Sequence, residues 1–524
     1  MATPKGFAQA IIVITTIAAA VMELVDTSII NVALTDMSGS LGVNIEDVSW
    51  VITSYAIANV IIIPLTGFLA EYFGRKNYYI VSMVLFTIAS YMCGQSDSLI
   101  ELVAWRFIQG IGGGALLSTS QSILFDAFEP KDRGKAAGLF GMGIVLGPTL
   151  GPTIGGYIME HFSWPLIFLV NIPIGVIATT LSLIFIEEKA GEGTKKDQIK
   201  IDFVGIGLLM AGVSCLQYVL ERGETEDWFS SESIRFCALI ASLSIGLFIW
   251  HELRIKQPAV NIRLLGNRNL GVTTIFTFVA GFGLFTSVFV YPILAQRVLG
   301  FTPYETGVTL LAPTLFGVIA MPIMGILLSK GVPPLPFIAI GFLLFTVYSF
   351  MNARVSLDIG KADLFWIFVI RAMGIAMSQL PLINQAVAGL HPKDYATGIG
   401  LNNMIRQIGG AFGIAVANNY IARQYAQHRS DLVSGMQNGQ AQVNTIAQNI
   451  MARTGDAAIT AQNKGLALVN GAVERQSYYL AYLDTFRLVG IFFIAIIPLV
   501  LFLRVKKKSA EEIAATMKAA SEAH

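Results

Sequence analysis

A chain of 524 residues that is 54% hydrophobic and only 13% charged, with mean hydropathy +0.65, cannot cover the surface of a water-soluble domain, for which about 25% charge is usual. A net charge of +1 excludes a nucleic-acid footprint. Three scattered cysteines (Cys93, Cys215, Cys237) and five histidines (His161, His251, His391, His428, His524) show no metal-ligand spacing, so neither a metal nor a cofactor is expected and an intramembrane metalloenzyme has little to work with.

The apolar residues fall in runs of about 20, the length a helix needs to cross a bilayer. They predict an all-α polytopic membrane protein with 14 spans, at 9–33, 48–70, 78–96, 100–124, 136–158, 163–186, 203–221, 233–253, 270–295, 303–329, 334–352, 362–389, 397–420 and 480–504. The first run follows Lys5, is too long for a signal-peptide core and lacks a cleavage pattern, so it reads as a span. Orientation follows from the loops. One set carries Arg75, Lys76, Lys131, Arg133, Lys135, Lys189, Lys195, Lys196, Lys200, Arg254, Lys256, Arg263 and Arg268, and the C-terminal tail adds Arg504 and Lys506 to Lys508. The early loops of the other set carry Asp36, Glu46, Asp47, Asp97 and Glu160 without lysine or arginine. The bias predicts both termini in the cytoplasm. Residues 421–479 form a long outer loop rich in Gln, Asn and Ala. It reads as a helical excursion, a contact for a periplasmic partner, or a disordered or amphipathic loop. Ser509 to His524 reads as a short surface helix.

The chain repeats itself. Glu129-Pro130-Lys131-Asp132 before span 5 matches His391-Pro392-Lys393-Asp394 before span 13, Pro64 and Gly67 of span 2 match Pro322 and Gly325 of span 10, and Arg106 of span 4 matches Arg371 of span 12, at nearly equal spacings. Both Pro-Lys-Asp loops face one side, so the repeat is parallel, as in transporters built from two six-helix halves related by an axis along the membrane normal. The organisation predicted is an N-terminal half (1–190), a linker with two additional spans (191–265), a C-terminal half (266–505) and a tail (506–524).

Charged residues inside spans are costly and usually functional. In span 1, Glu23 and Asp26 share one helix face. Each could bind and release protons or be neutralised by a structural partner. Arg106 in span 4 lies at the same depth as Asp26, about 10 Å below the outer surface at 1.5 Å per residue, so the two could pair. Gly110 to Gly114 resembles a dinucleotide fingerprint only superficially, because no strand precedes it. Span 5 carries Gly143, Gly147-Pro148, Gly151-Pro152 and Gly155, a smooth stripe for close helix approach with prolines that can kink it. Between spans 2 and 3, Gly67 to Lys76 (GFLAEYFGRK) packs Gly67, Glu71, Gly74 and Arg75 into a tight turn, and Arg75 matches the depth of Asp126. Polar residues placed where a cavity could be include Asn59, Gln109, Gln121, Gln379, Asn384, Gln385, Asn402, Asn403 and Gln407, with Arg371 and Arg406 as two intramembrane cations. These cations suit anionic substrates or carboxylates of the first half. Trp50, Tyr55, Phe282, Phe285 and Tyr291 could contact an apolar substrate or simply pack.

These motifs resemble those of the major facilitator superfamily. The turn resembles its loop signature, with Glu71 where Asp is usual, and LVAWRFIQG resembles its fourth-helix motif. VDTSIINVAL resembles the first-helix signature of the 14-helix drug:proton antiporters of EmrB/QacA type, with departures at Val25, Ser28 and Thr35, and GIVLGPTLGPTIGG resembles their antiporter motif. In the second half Ser329 stands where Glu71 does, and Pro333 near the place of Arg75. The inserted pair, the outer stretch Glu221 to Ser231 and the long loop before span 14 are most similar to EmrB-type exporters. The resemblance implies the two-half fold, proton-driven export of hydrophobic compounds by alternating access, and no enzyme activity. It implies an Arg75–Asp126 latch that holds the outward-facing state closed. It also implies a bacterial inner membrane, with contacts to lipid, a periplasmic adaptor of EmrA type and an outer-membrane channel of TolC type. A dedicated exporter of one solute (siderophore, fatty acid or metabolite), a membrane enzyme and a non-transporting scaffold or sensor are the alternatives.

Overall fold

The computed structural model describes residues 6–503 except 130–131, 189–201, 256–257, 259, 389, 391–393, 437–438 and 455–456. Lys131, the lysines at 189–200, Lys256, the His391-Pro392-Lys393 repeat and the predicted tail helix lie outside the described residues.

The described chain is helical throughout. The long helices are α1 (Phe7–Ile29), α2 (Trp50–Phe73), α3 (Arg75–Gly94), α4 (Leu99–Asp126), α5 (Arg133–His161), α6 (Asn171–Phe185), α7 (Phe203–Arg222), α8 (Glu232–Glu252), α9 (Arg268–Ile293), α10 (Pro303–Ser329), α11 (Pro334–Asn352), α12 (Lys361–Val387), α13 (Tyr395–Gly435), α14 (Gly439–Thr454) and α15 (Ala458–Ile496). Their ends follow local chemistry. Ser98 accepts a hydrogen bond from the Glu101 amide at the start of α4, and Asp202 does the same for Gly205 of α7. Thr302 and Glu305 form a reciprocal capping box on α10. Gly74, at φ +83°, breaks α2 from α3 where an L side chain would be strained.

Every predicted span coincides with one of these helices, and 12 stretches are long and apolar enough to cross a membrane. Two of the 14 predicted spans, α4 and α13, fall outside that set. The reason is compositional: α4 carries Arg106, Gln109 and Gln121, and α13 opens on Thr397, Asn402, Asn403, Arg406 and Gln407. These side chains turn into the bundle; Arg106, Gln109, Gln121, Asn402, Asn403 and Arg406 are all buried.

In the first half, α4 packs between α2 and α3, and α1 lies against α5, α6 and α4. In the second, α9 packs on α13 and α12 on α10 and α11. The two halves meet along α5 and α10 and along α2 and α13, and the α7–α8 hairpin sits beside that second seam. On the face of the Arg75 and Lys135 loops (the basic face), Ile383 of α12 packs with Leu124 and Phe140, so the halves touch there. The second half has a large aromatic core, in which Phe345 stacks on Phe493 at 4.2 Å and Phe276 meets Phe342 edge-on at 5.2 Å.

The described residues of the polar stretch 421–479 are almost all helical. α13 runs on to Gly435, α14 follows, and α15 begins at Ala458, far before the predicted start of the last span. At 1.5 Å per residue the 41-residue α13 is about 60 Å long, roughly twice the hydrocarbon thickness. The helices extend as a stalk, tied by Tyr425 stacked on Tyr478 at 4.1 Å and by His428 Nε2 at 2.8 Å from Asp484 Oδ2. Alanine and glutamine are good helix formers, so polarity here marks an exposed helix rather than a coil.

Candidate functional site

The first half is organised around one buried carboxylate. Asp26 is fully buried and receives three donors: Arg106 Nη1 at 2.6 Å on Oδ2, and Gln109 Nε2 at 2.9 Å and Asn171 Nδ2 at 2.8 Å on Oδ1. Arg106 is satisfied in turn. Its Nη1 donates to Gln109 Oε1 at 2.7 Å, its Nε to the Val51 carbonyl at 3.1 Å, and its guanidinium lies 4.1 Å from the centre of the Tyr55 ring. Gln109 and Asn171 both donate to Ser90 Oγ, which donates to the Phe168 carbonyl. The predicted Asp26–Arg106 pair therefore exists, inside a network that joins α1, α2, α3, α4 and α6. Asn171 and Ser90 were not singled out from the sequence. The signal for Asn171 was present: it is an amide within the apolar run of span 6.

Glu23 sits one turn earlier on α1 in a different setting. It is 2% exposed, accepts one hydrogen bond from Asn59 Nδ2 at 3.1 Å on Oε1, and its Oε2 has no partner among the described residues. Across the seam, Arg406 of α13 is close enough to interact with its charge. Asn403 bridges the same seam, donating to Ser118 Oγ of α4 at 3.0 Å, and Gln121, one turn beyond Ser118, is buried with an Nε2 that has no partner among the described residues. The candidates Glu23, Asn59, Gln121, Asn403 and Arg406 thus gather where α1, α2 and α4 face α13. Asp26 accepts three hydrogen bonds of the roughly four that a carboxylate can take, whereas Glu23 accepts one and keeps an oxygen without a partner among the described residues.

The glycine stripe of α5 is the seat of α1. A Cβ on Gly143 would lie 3.0 Å from Val21 Cγ2, one on Gly147 would strike Leu24, one on Gly151 would strike Ser28 and lie 2.8 Å from the Ile29 amide nitrogen, and one on Gly155 would lie 3.0 Å from the Ile29 carbonyl. Pro148 and Pro152 are accommodated inside a continuous helix. On its other flank α5 carries Gly138, where a Cβ would be 2.9 Å from the Met321 carbonyl of α10. One helix therefore touches both the carboxylate-bearing helix and the second half.

At the basic face Arg75 forms an ion pair with Asp126, each about a quarter exposed (22% and 24%). Lys76 Nζ donates to the Leu183 carbonyl at 3.0 Å and Asn77 Nδ2 to Glu188 Oε1 at 3.1 Å, which docks the turn on the end of α6. Gly74 is buried against Glu188. Gly67 serves a different end: a Cβ there would come 3.3 Å from Thr397 Oγ1 of α13, so this glycine lets the two halves close on each other. Glu71 is exposed, with no hydrogen bond or ion pair among the described residues.

Deep in the second half, Arg371, Tyr291, Tyr348 and Phe368 form one cluster, with Tyr291 edge-on to Phe368 at 4.4 Å. Gln379 is buried two turns further along α12. Of the aromatic residues offered as substrate contacts, Trp50 lies under Arg222 at 4.7 Å and Tyr55 under Arg106, while Phe282 packs on Phe492. They hold the bundle together.

The profile of the Major Facilitator Superfamily matches residues 16–414. The chain is 32% identical to the "Multidrug export protein EmrB" of Escherichia coli K12 across 83% of this chain and 85% of that protein. It is 29% identical to the "Fatty acid resistance protein FarB" of Neisseria gonorrhoeae across 95% and 96%. Among solved structures, an inward-facing bacterial homologue of the lysosomal transporter Spinster matches with TM-score 0.55 at 16% identity, over 96% of this chain and all of that one. The human organic anion transporter MFSD10 matches with TM-score 0.55 at 14% identity, over 93% and 99%. At these identities the two structures speak for the fold alone.

Proposed function

The chain belongs to the Major Facilitator Superfamily, and from that membership we propose that it is a proton-driven exporter of hydrophobic or amphipathic compounds, a multidrug efflux transporter of the bacterial inner membrane with both termini in the cytoplasm. It is a transporter, not an enzyme. The observation that carries the proton coupling is Glu23: a buried carboxylate at the seam, half-satisfied by Asn59 and facing a cation of the opposite half. With Glu23 ionised, its attraction to Arg406 draws the halves together at mid-depth. With Glu23 protonated, the attraction is gone and the seam can reopen. Asp26, locked by three donors, holds α1 in register. The Arg75–Asp126 pair and the Gly67–Thr397 approach hold the basic face closed, which corresponds to the outward-facing or occluded stage of the cycle. A membrane potential of about 100 mV contributes roughly 2.3 kcal/mol per proton, enough for about fifty-fold concentration.

The stalk of α13, α14 and α15 supports a periplasmic adaptor of EmrA type, and through it an outer-membrane channel of TolC type, as partners. The FarB likeness supports a second reading, export of one physiological solute such as a fatty acid. Reconstitution in liposomes under an inward-acid gradient tests the proposal. Candidate compounds should trigger proton release in wild-type protein and not in Glu23→Gln. Coupled export retained in Glu23→Gln would remove Glu23 as carrier, and a response to one compound class alone would favour the dedicated exporter.

A further inference from the structure

The buried charges divide unevenly between the halves. Among the described residues the buried cations are Arg106, Arg222, Arg371 and Arg406, and the buried carboxylates inside the two halves are Glu23 and Asp26, both on α1. Arg106 has Asp26 at 2.6 Å, Arg406 has Glu23 across the seam, and Arg222 donates to Ser49 Oγ at 3.0 Å above the Trp50 ring. Arg371, 4% exposed, has no carboxylate and makes no hydrogen bond among the described residues; its Nε is buried and unpartnered.

The repeat shows what is different. Arg371 stands in α12 where Arg106 stands in α4. Arg106 takes its counter-charge from α1, but α9, the equivalent of α1, contains neither Asp nor Glu. Gln109, three residues after Arg106, corresponds to Gly374, packed against the Gly341 carbonyl. In place of acceptors, the second half sets Tyr291 from α9 and Tyr348 from α11 around Arg371. Both tyrosines are fully buried. Their hydroxyls are turned toward Thr309 and Ser287, and neither has a hydrogen-bond partner among the described residues. The Phe368 ring closes the group, 5.8 Å from the guanidinium and from the Tyr348 ring centre. A guanidinium and two phenol hydroxyls, all unpartnered donors against an aromatic wall, are the chemistry that receives a carboxylate on an apolar body.

We propose that Arg371, Tyr291 and Tyr348 form a subsite in the second half for the acidic head of an amphipathic substrate, with Phe368 against its apolar part. This rests on reading the chain as an exporter, and it makes the site's preferred cargo a hydrophobic carboxylate. The subsite is separate from the proton-handling seam: Asp26 compensates Arg106 and Glu23 faces Arg406, and neither carboxylate serves Arg371.

Purified full-length protein in zwitterionic nanodiscs tests it, with decanoate and methyl decanoate as probes in equilibrium binding. Wild-type protein should prefer the acid over the ester by at least about ten-fold, the effect of one charge-assisted contact. Arg371→Gln should abolish that preference while leaving ester binding in place, and Arg371→Lys should keep part of it. The Tyr291→Phe/Tyr348→Phe pair, which removes two hydroxyls and no volume, should lower acid binding several-fold and leave the ester unchanged; this carries the test if Arg371→Gln does not fold. Equal affinity of wild type for acid and ester, or an acid preference that survives in the tyrosine pair and in any folded Arg371→Gln, overturns the proposal. Gradient-driven export of an uncharged dye is measured on the same variants. Export without an acid preference removes the subsite and keeps the exporter; an acid preference without any export does the reverse.

Discussion

Asp26→Asn isolates the buried pair. The substitution keeps the shape of the side chain and leaves Arg106, 1% exposed, without its counter-charge. Removing one partner of a buried ion pair costs about 3–5 kcal/mol. Here Arg106 retains Gln109 Oε1 at 2.7 Å, the Val51 carbonyl at 3.1 Å and the Tyr55 face, so the lower end, about 3 kcal/mol, is expected. The introduced amide also brings an NH₂ group against Gln109 and Asn171, whose own amides donate to that position in the wild type. Arg106→Gln alone should cost a similar amount, because it strands Asp26. Together the two changes should cost less than their sum by about 1–3 kcal/mol, the coupling usual for residues in one network. The assay is denaturant-induced unfolding of the four proteins in one detergent, followed by tryptophan fluorescence. Additive losses, or an Asp26→Asn variant within about 0.5 kcal/mol of wild type, would refute the view that Asp26 works as a locked structural anion.

Glu23→Gln should behave in the opposite way: yield and unfolding midpoint near wild type, with substrate-triggered proton release lost in proteoliposomes. A variant that unfolds early would mark Glu23 as structural instead. Gly151→Ala drives a methyl group against Ser28 and the backbone of Ile29, at a cost of about 1–3 kcal/mol of overpacking; transport should fall more than stability does, whereas unchanged transport would detach the stripe from movement. Gly74→Ala combines φ +83° with contact on Glu188 and should cost about 1–2 kcal/mol, read as a lowered thermal midpoint. Arg75→Asp should expose cysteine probes on the basic face to thiol reagents, and adding Asp126→Arg should restore protection; no restoration would mean that the pair is not the latch.

Much of this arrangement was legible in the residues, where depth along a helix could be counted. Asp26 and Arg106 meet because both lie near one end of antiparallel helices, and Arg75 reaches Asp126 for the same reason at the other face. The helices themselves followed from apolar runs, α4 and α13 included, although these two carry enough amides and charges to fall outside the stretches that hydropathy alone selects. Their polar side chains face protein, which a one-dimensional count does not see. What could not be read was which helix a smooth face addresses. The stripe Gly143 to Gly155 predicts a close neighbour, and only the fold makes that neighbour α1. Likewise Gly67 belongs by sequence to a turn, and in space to the meeting of the halves at Thr397. For the stretch 421–479 the helical excursion was one of the readings open, and its alanines and glutamines decide for helix wherever water can cover the outer face; the length of the helices could not be read.

The two halves share a fold and an arginine, yet they have parted in chemistry, and the division suits an antiporter. The first half keeps both carboxylates on α1, which lies on glycines and can shift along α5 with few side chains to displace. Among the described residues the second half buries Arg371 and Arg406 and no carboxylate, and is braced by an aromatic core. Unit charges beyond ion-pair contact, at an effective dielectric near 20, attract by less than about 4 kcal/mol, so protonating Glu23 would weaken its attraction to Arg406 by an amount of the same order as what one proton gains from the membrane potential. A larger coupling would trap the protein in one state, and a much smaller one would let protons and substrate pass independently. A proton site at the seam, as proposed for Glu23, would make its charge act on the relative position of the halves, which is the coordinate that alternating access changes.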